Sequence, residues 1–192
     1  MSSVAIVYFS GQGHTQQLAE GVAEGARSVP GTNVELVRIV GEDITSGRWR
    51  NPAIMAQLGR ADAIVFGTPT YMGGPAAQLK AFIDAASEVW ATLGWKDKIA
   101  AAFTHSIGLS GDKLNTLQSL WINAMQHGMI WVGLGTPVEG TTPDKVNRLG
   151  SASGPMAQSD WGQERVHEGD LRTAVILGQR VAETTARWVR GK

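Results

Sequence analysis

Short apolar runs alternate with helix-period patterns along this chain. Val4 to Phe9 (VAIVYF) is apolar on both faces, as a central parallel strand is. A helix is expected from about Thr15, where Leu18, Val22 and Ala26 recur every four residues until Pro30-Gly31 stops them. Val34 to Ile39 alternates and reads as a strand with one wetter side, near a sheet edge. Residues 41–60 are polar and Gly-containing, with a short helix expected around Ala53 to Leu58. Ala63 to Phe66 is the third strand. Leu79, Phe82, Ile83, Ala86, Val89, Trp90 and Leu93 then form the clearest helical stripe in the chain. Ile99 to Phe103 is a buried fourth strand, and Leu114 to Met125 an amphipathic helix. Met129 to Val132 is the fifth strand, and Leu171 to Trp188 line a last helix. The alternation predicts an α/β fold built on a largely parallel sheet, as one domain over residues 1–192.

Composition narrows the chemistry. Seventeen basic and seventeen acidic residues balance, and no local basic face points to nucleic acid. That neutrality also weighs against a dedicated electron shuttle steered by net charge. There is no cysteine, which excludes disulfides, iron–sulfur clusters, thiolate catalysis and cysteine-based zinc sites. No two histidines show i, i+4 spacing, so no metal site is expected. Neither a signal-peptide pattern nor a run of ~18 apolar residues is present, so the expectation is a cytoplasmic protein without membrane contact.

Three loops carry the candidate site. The first strand runs into Ser10-Gly11-Gln12-Gly13-His14-Thr15 and then a helix. Glycines expose backbone N–H groups there, and a helix N-terminus adds roughly +0.5 e, so the loop favours an anion. A Walker A loop needs Gly-Lys-[Ser/Thr], and this one has Gly13-His14-Thr15. A dinucleotide fingerprint needs a third Gly where Gln16 stands, and a phosphoacceptor receiver needs carboxylates where Phe9-Ser10 and Gly67-Thr68 stand. A plain βα turn remains the structural alternative. In a doubly wound sheet ligands bind outside the C-terminal strand ends. There Gly67 to Gly74, with Pro69, Thr70, Tyr71, Met72 and Gly73, offers hydroxyls, amides and an aromatic or thioether face. His105, Ser106, Ile107, Gly108, Leu109 and Ser110 supply a further set. Together the three loops suit a flat polar heterocycle with a phosphate tail. Gly108-Leu109-Ser110-Gly111-Asp112 lacks the final Gly of a nucleophile elbow, which disfavours an esterase. Residues 134–167 lack a period, and so long a loop is usually functional.

Four stretches resemble a known family: Tyr8 to Thr15 (YFSGQGHT), Val65 to Gly73 (VFGTPTYMG), Trp90-Ala91-Thr92 and His127-Gly128-Met129. They are similar to flavodoxin-like proteins, and most of all to the tryptophan-repressor-binding-protein (WrbA) type of NAD(P)H:quinone oxidoreductase. The resemblance implies a flavodoxin-like, doubly wound five-stranded sheet of order 2-1-3-4-5 with helices on both faces. It implies FMN as cofactor, with NADH or NADPH as donor and a quinone-like small molecule as acceptor. Ser10 to Thr15 would hold the phosphate, with Gln12 also meeting the nicotinamide. Pro69 to Gly73 would wrap the ring and ribityl chain, and His105 to Ser110 would line the pyrimidine side. His127 would approach the flavin, and Trp90 would wall the substrate pocket, from a neighbouring subunit of a homotetramer or homodimer. From position alone, His127 is a helix C-cap and Trp90 a core residue of the apolar stripe. Tyr71 and Met72 stand where the family carries a basic then an aromatic residue, and the loop from Thr104 to Gly111 is poorer in Gly and Thr than the family's. Both departures touch the pocket. The same fold also serves electron carriers that have no NAD(P)H activity.

Overall fold

The computed structural model of the protein describes residues 1–191. Strand β1 (Ser2–Tyr8) leads into helix α1 (His14–Arg27) and returns as β2 (Thr32–Arg38). A small hairpin, β3 (Ile44–Thr45) and β4 (Arg48–Trp49), precedes α2 (Pro52–Arg60), which Asn51 caps by accepting the Ile54 N–H at 3.2 Å. Next come β5 (Ala63–Tyr71), β6 (Gly74–Pro75), α3 (Ala77–Ala85), α4 (Ser87–Trp90) and β7 (Ile99–Ser106). The chain ends through α5 (Lys113–Gln126), β8 (Ile130–Trp131), β9 (Met156–Gln158) and α6 (Glu168–Arg190).

The main path of the sheet is β2-β1-β5-β7-β8, all parallel, which is the expected order 2-1-3-4-5 of its principal strands. Side chains alternate across it. Val4, Ile6 and Tyr8 face α1 and α6, whereas Ala5 and Val7 face α2, α3 and α5, so two cores sandwich the sheet. Among the described residues, no helix is long and apolar enough to cross a membrane.

Three elements differ from the sequence pattern, and each difference shapes the edge where the loops meet. First, the third strand does not stop at Phe66. It continues through Gly67-Thr68-Pro69-Thr70-Tyr71 and folds back on β6, with Thr70 opposite Pro75 and Tyr71 opposite Gly74. Met72 and Gly73, at φ 47° and 78°, form the two-residue turn between them. Second, the stripe from Leu79 to Leu93 is not one buried helix. It breaks at Ala86, Leu93 takes φ 50°, and Trp90 and Leu93 are exposed, while Trp95 fills the core in their place. Third, the fifth strand is split. β8 pairs with the start of β7 (Ile99↔Ile130), and β9 pairs with its end (Thr104↔Met156).

The excursion between β8 and β9 is tied back by a buried ion pair. Arg148 grips Asp170 in the first turn of α6 through Nε and Nη2, each at 3.0 Å, and donates to Gln158 at 2.9 Å. The Gln158 N–H also donates to Asp170 at 2.9 Å, so one carboxylate joins the excursion, β9 and α6. Arginine suits this place because its planar fork matches a carboxylate at two points.

Gly67 sits where the register is tightest. It pairs with Tyr8 on one side and Phe103 on the other, and a Cβ there would lie 2.2–3.0 Å from three atoms of the Phe103 ring. That ring is fully buried and has nowhere to move. Replacing Gly67 with Val is therefore expected to lower unfolding stability by at least about 2 kcal/mol through overpacking. A shift in the urea midpoint without a change in m checks it, and an unshifted midpoint would show that the ring can yield.

Candidate active site

The C-terminal ends of β1, β5 and β7 bring the three predicted loops together around one cavity of about 230 Å³. Ser10, Gly11, Gln12, His14, Thr15, Pro69, Thr70, Tyr71, His105, Ser106 and Ile107 line it, so eleven of the expected contact residues converge. Gly13 lies within the loop but turns away as the left-handed N-cap of α1, at φ 90°. Met72, Gly73, Gly108, Leu109 and Ser110 do not line the cavity. Met72 is fully exposed on its turn, and Leu109 and Ser110 border a separate cleft against α5 and residues 141–156.

The loop from Ser10 to Thr15 is built around one hydroxyl. Ser10 is buried, and its Oγ accepts the N–H groups of Gly13 at 3.1 Å and Gln16 at 3.2 Å. This bends the chain so that the N–H groups of Gly11, Gln12, His14 and Thr15 have no acceptor among the described residues. Four free amides at a helix N-terminus are the donor set that a phosphate requires. The lining holds no Lys, Arg, Asp or Glu. Arg38 approaches from β2, but its guanidinium donates to the Ser10 carbonyl at 3.3 Å. The Tyr71 hydroxyl leans so close to Gly11 that a Cβ there would lie 2.7 Å from it. An aromatic ring thus stands beside the anion cradle.

Behind the lining lies a polar layer with no signal in the sequence pattern. Thr70 Oγ1 is 2.8 Å from both Thr104 Oγ1 and Thr116 Oγ1, and Thr104 donates to the Thr68 carbonyl at 2.7 Å. All four threonines are buried, which fixes the ends of β5 and β7 against α5. His14 and His105 stack face to face, with centroids 4.5 Å apart and planes 7° apart. His14 Nε2 lies 2.8 Å from the Gln163 carbonyl, and His105 Nε2 2.9 Å from Ser159 Oγ. Gln17 also grips this segment, donating to the Glu164 carbonyl and accepting the Val166 N–H. Part of the unpatterned stretch 134–167 is therefore the strap that braces the two histidines. Burial, then the neighbouring His14 and Lys113, push the His105 pKa down to about 3, so its ring is neutral at pH 7.

Two expected residues do not reach this cavity within one chain. His127 caps α5 at the start of β7, roughly 23 Å from the cavity end at about 3.3 Å per residue. It is buried against Trp95, with ring centroids 4.5 Å apart, and burial pushes its pKa down. Trp90 is 47% exposed rather than part of the core. Among the described residues, no cluster of three or more His, Asp or Glu is placed to hold a metal ion.

The sequence pattern of the NADPH-dependent FMN reductase family matches residues 4–141. Flavodoxin FldP of Pseudomonas aeruginosa is 39% identical over 95% of this chain and 96% of its own. An NAD(P)H dehydrogenase (quinone) of Trichlorobacter lovleyi is 34% identical over 97% and 98%. The crystal structure of a flavodoxin, WrbA-like protein from Agrobacterium tumefaciens superposes with a TM-score of 0.75 and 43% identity, covering 97% of this chain and 99% of that one. By sequence and by fold, the chain belongs to the NADPH-dependent FMN reductase family and carries its chemistry on a flavodoxin-like sheet.

Proposed function

We propose that the protein is an FMN-dependent oxidoreductase that passes two electrons from NAD(P)H to a quinone-like acceptor. The observation that carries this reading is the cradle of four unpaired amides around Ser10 Oγ, flanked by Tyr71 and His105 on strand ends. Relatives named NAD(P)H dehydrogenase (quinone) support the reaction. Bound FMN supplies the hydride-accepting and hydride-donating chemistry, and the protein supplies position and electrostatics.

The residues divide the work. Gly11, Gln12, His14 and Thr15 would hold the phosphate with neutral donors. Pro69, Thr70 and Tyr71 would flank the ring, while Met72 and Gly73 turn the chain beyond it. His105, Ser106 and Ile107 would face the pyrimidine edge, with the neutral His105 stacked on His14. Donor and acceptor would occupy the same space over the flavin ring in turn. Trp90, half-exposed on the short helix α4, would be presented to the pocket of a second copy in a homodimer or homotetramer.

With FMN saturating, steady-state oxidation of NADH or NADPH with benzoquinone is expected to give parallel double-reciprocal lines. Intersecting lines would sink the shared-cavity mechanism. FMN binding without turnover would favour an electron carrier instead, the reading that the flavodoxin FldP relative supports. Gly13→Val forces a side chain into φ 90° and is expected to weaken FMN binding at least tenfold, read by flavin fluorescence on titration. Unchanged affinity would separate the cofactor from this loop.

The neutral His105 also leaves a thermodynamic mark. The unfolded chain takes up this proton below about pH 6.5 and the folded chain only near pH 3, so stability falls as pH drops through that window. The slope from this residue is at most about 1.4 kcal/mol per pH unit. Urea midpoints measured from pH 7 to pH 4 should decline less steeply in His105→Gln than in the wild type, and equal slopes would refute it.

A further inference from the structure

Among the described residues, Lys113 is the one ammonium group that the fold buries completely beside the cavity without using it in the reading above. It opens α5 directly after Gly111 and Asp112, two consecutive residues at φ 54°. This left-handed pair turns the chain so that Lys113 Nζ lies under the loop following β7. It donates to Ser106 Oγ at 2.9 Å and to the Gly108 carbonyl. Ser106 in turn donates to the Gly108 carbonyl at 3.1 Å, and Ser106 and Ile107 line the cavity.

Both partners of this ammonium are neutral oxygens. Asp170, whose charge favours the protonated form, already has its two oxygens engaged by Arg148 and the Gln158 N–H. Burial lowers the Lys113 pKa to about 8, which still leaves the group charged at pH 7. A glutamine would tether the same two oxygens at far lower desolvation cost, because burying a charge without a carboxylate partner is expensive. A buried cation held by neutral atoms next to an uncharged cavity lining is an electrostatic complement for negative charge arriving in that cavity.

We propose that Lys113 is a positioning residue that sets the redox balance of the site: it holds the Ser106–Gly108 loop and favours the more negatively charged, two-electron-reduced form of the cofactor. The inference rests on the FMN reading above. Charge near the pyrimidine ring is one of the means by which a protein tunes flavin electronics.

The test compares Lys113→Met, Lys113→Gln and Lys113→Arg with the wild type, reading oxidised-FMN affinity by fluorescence and the midpoint potential by spectroelectrochemistry. Met and Gln are expected to bind oxidised FMN within a few-fold of the wild type but reduced FMN about tenfold more weakly. That difference lowers the two-electron midpoint by about 30 mV. Arg should keep the wild-type potential. Equal losses in both oxidation states, leaving the midpoint in place, would reduce Lys113 to a loop tether and overturn the proposal. Gln retains the hydrogen bonds if Met fails to fold, and the wild type alone provides a further check. Its bound FMN should have a midpoint at or above that of free FMN, and a lower value counts against the proposal. A wild-type protein that leaves added FMN free would overturn the FMN reading itself.

Discussion

The packing of the Phe103 ring against the bare backbone of Gly67 is the constraint on which the site depends. It locks β5 and β7 in one register at the height where Tyr8 ends β1. From that level the three strand ends diverge together into their loops. The Phe9 N–H donates to the Gly67 carbonyl at 3.0 Å, which carries the same register into the residue before Ser10. The loop from Ser10 to Thr15 is therefore placed by side-chain packing at the level of Tyr8, deeper in the sheet, as well as by its own glycines. The buried threonines above Phe103 extend this rigidity to the cavity floor.

The site is polar without being charged. Its first layer consists of amides, hydroxyls, an aromatic ring and a stacked pair of imidazoles, of which His105 is held neutral by burial. Formal charge appears one layer further out, in Lys113 and in the Arg148–Asp170 pair. An arrangement of this kind would hold a dianionic phosphate through dipoles and would leave the ring's charge to more distant groups. The chain has zero formal net charge, so it carries no overall charge with which to steer a charged partner.

Much of this was legible in the sequence because glycine and hydroxyl residues have narrow uses. The glycines of Ser10 to Thr15 announced a strand-to-helix turn with exposed amides, the alternation of apolar runs announced the parallel sheet, and the family resemblance supplied its strand order. Other parts were hidden for definite reasons. Gly67 to Tyr71 looked like a loop because Gly and Pro are poor strand formers, yet antiparallel pairing with β6 and register with β7 make it a strand. The helical stripe past Ala86 carried the expectation of a buried Trp90, but periodicity cannot detect a chain reversal that hands the core position to Trp95. Lys113 was invisible because a lysine opening an amphipathic helix is ordinarily solvated. Ser159 and Gln163 lay in a stretch without any period, and only the fold brings them to His105 and His14.

The split fifth strand separates two jobs that a continuous strand would combine. β8 completes the sheet near the start of β7 and β9 near its end, so neither depends on the length of chain between them. Residues 132–155 form a cassette inserted at an interruption in the ladder, clamped at its exit by Arg148 and Asp170. The cleft bounded by this cassette and α5 lies outside the phosphate cradle. The Asp170 carboxylate does not hold this cassette alone: the Asn147 N–H donates to Thr173 Oγ1 at 2.9 Å and Arg180 Nε to the Gly133 carbonyl at 3.0 Å, so α6 anchors the excursion along much of its length.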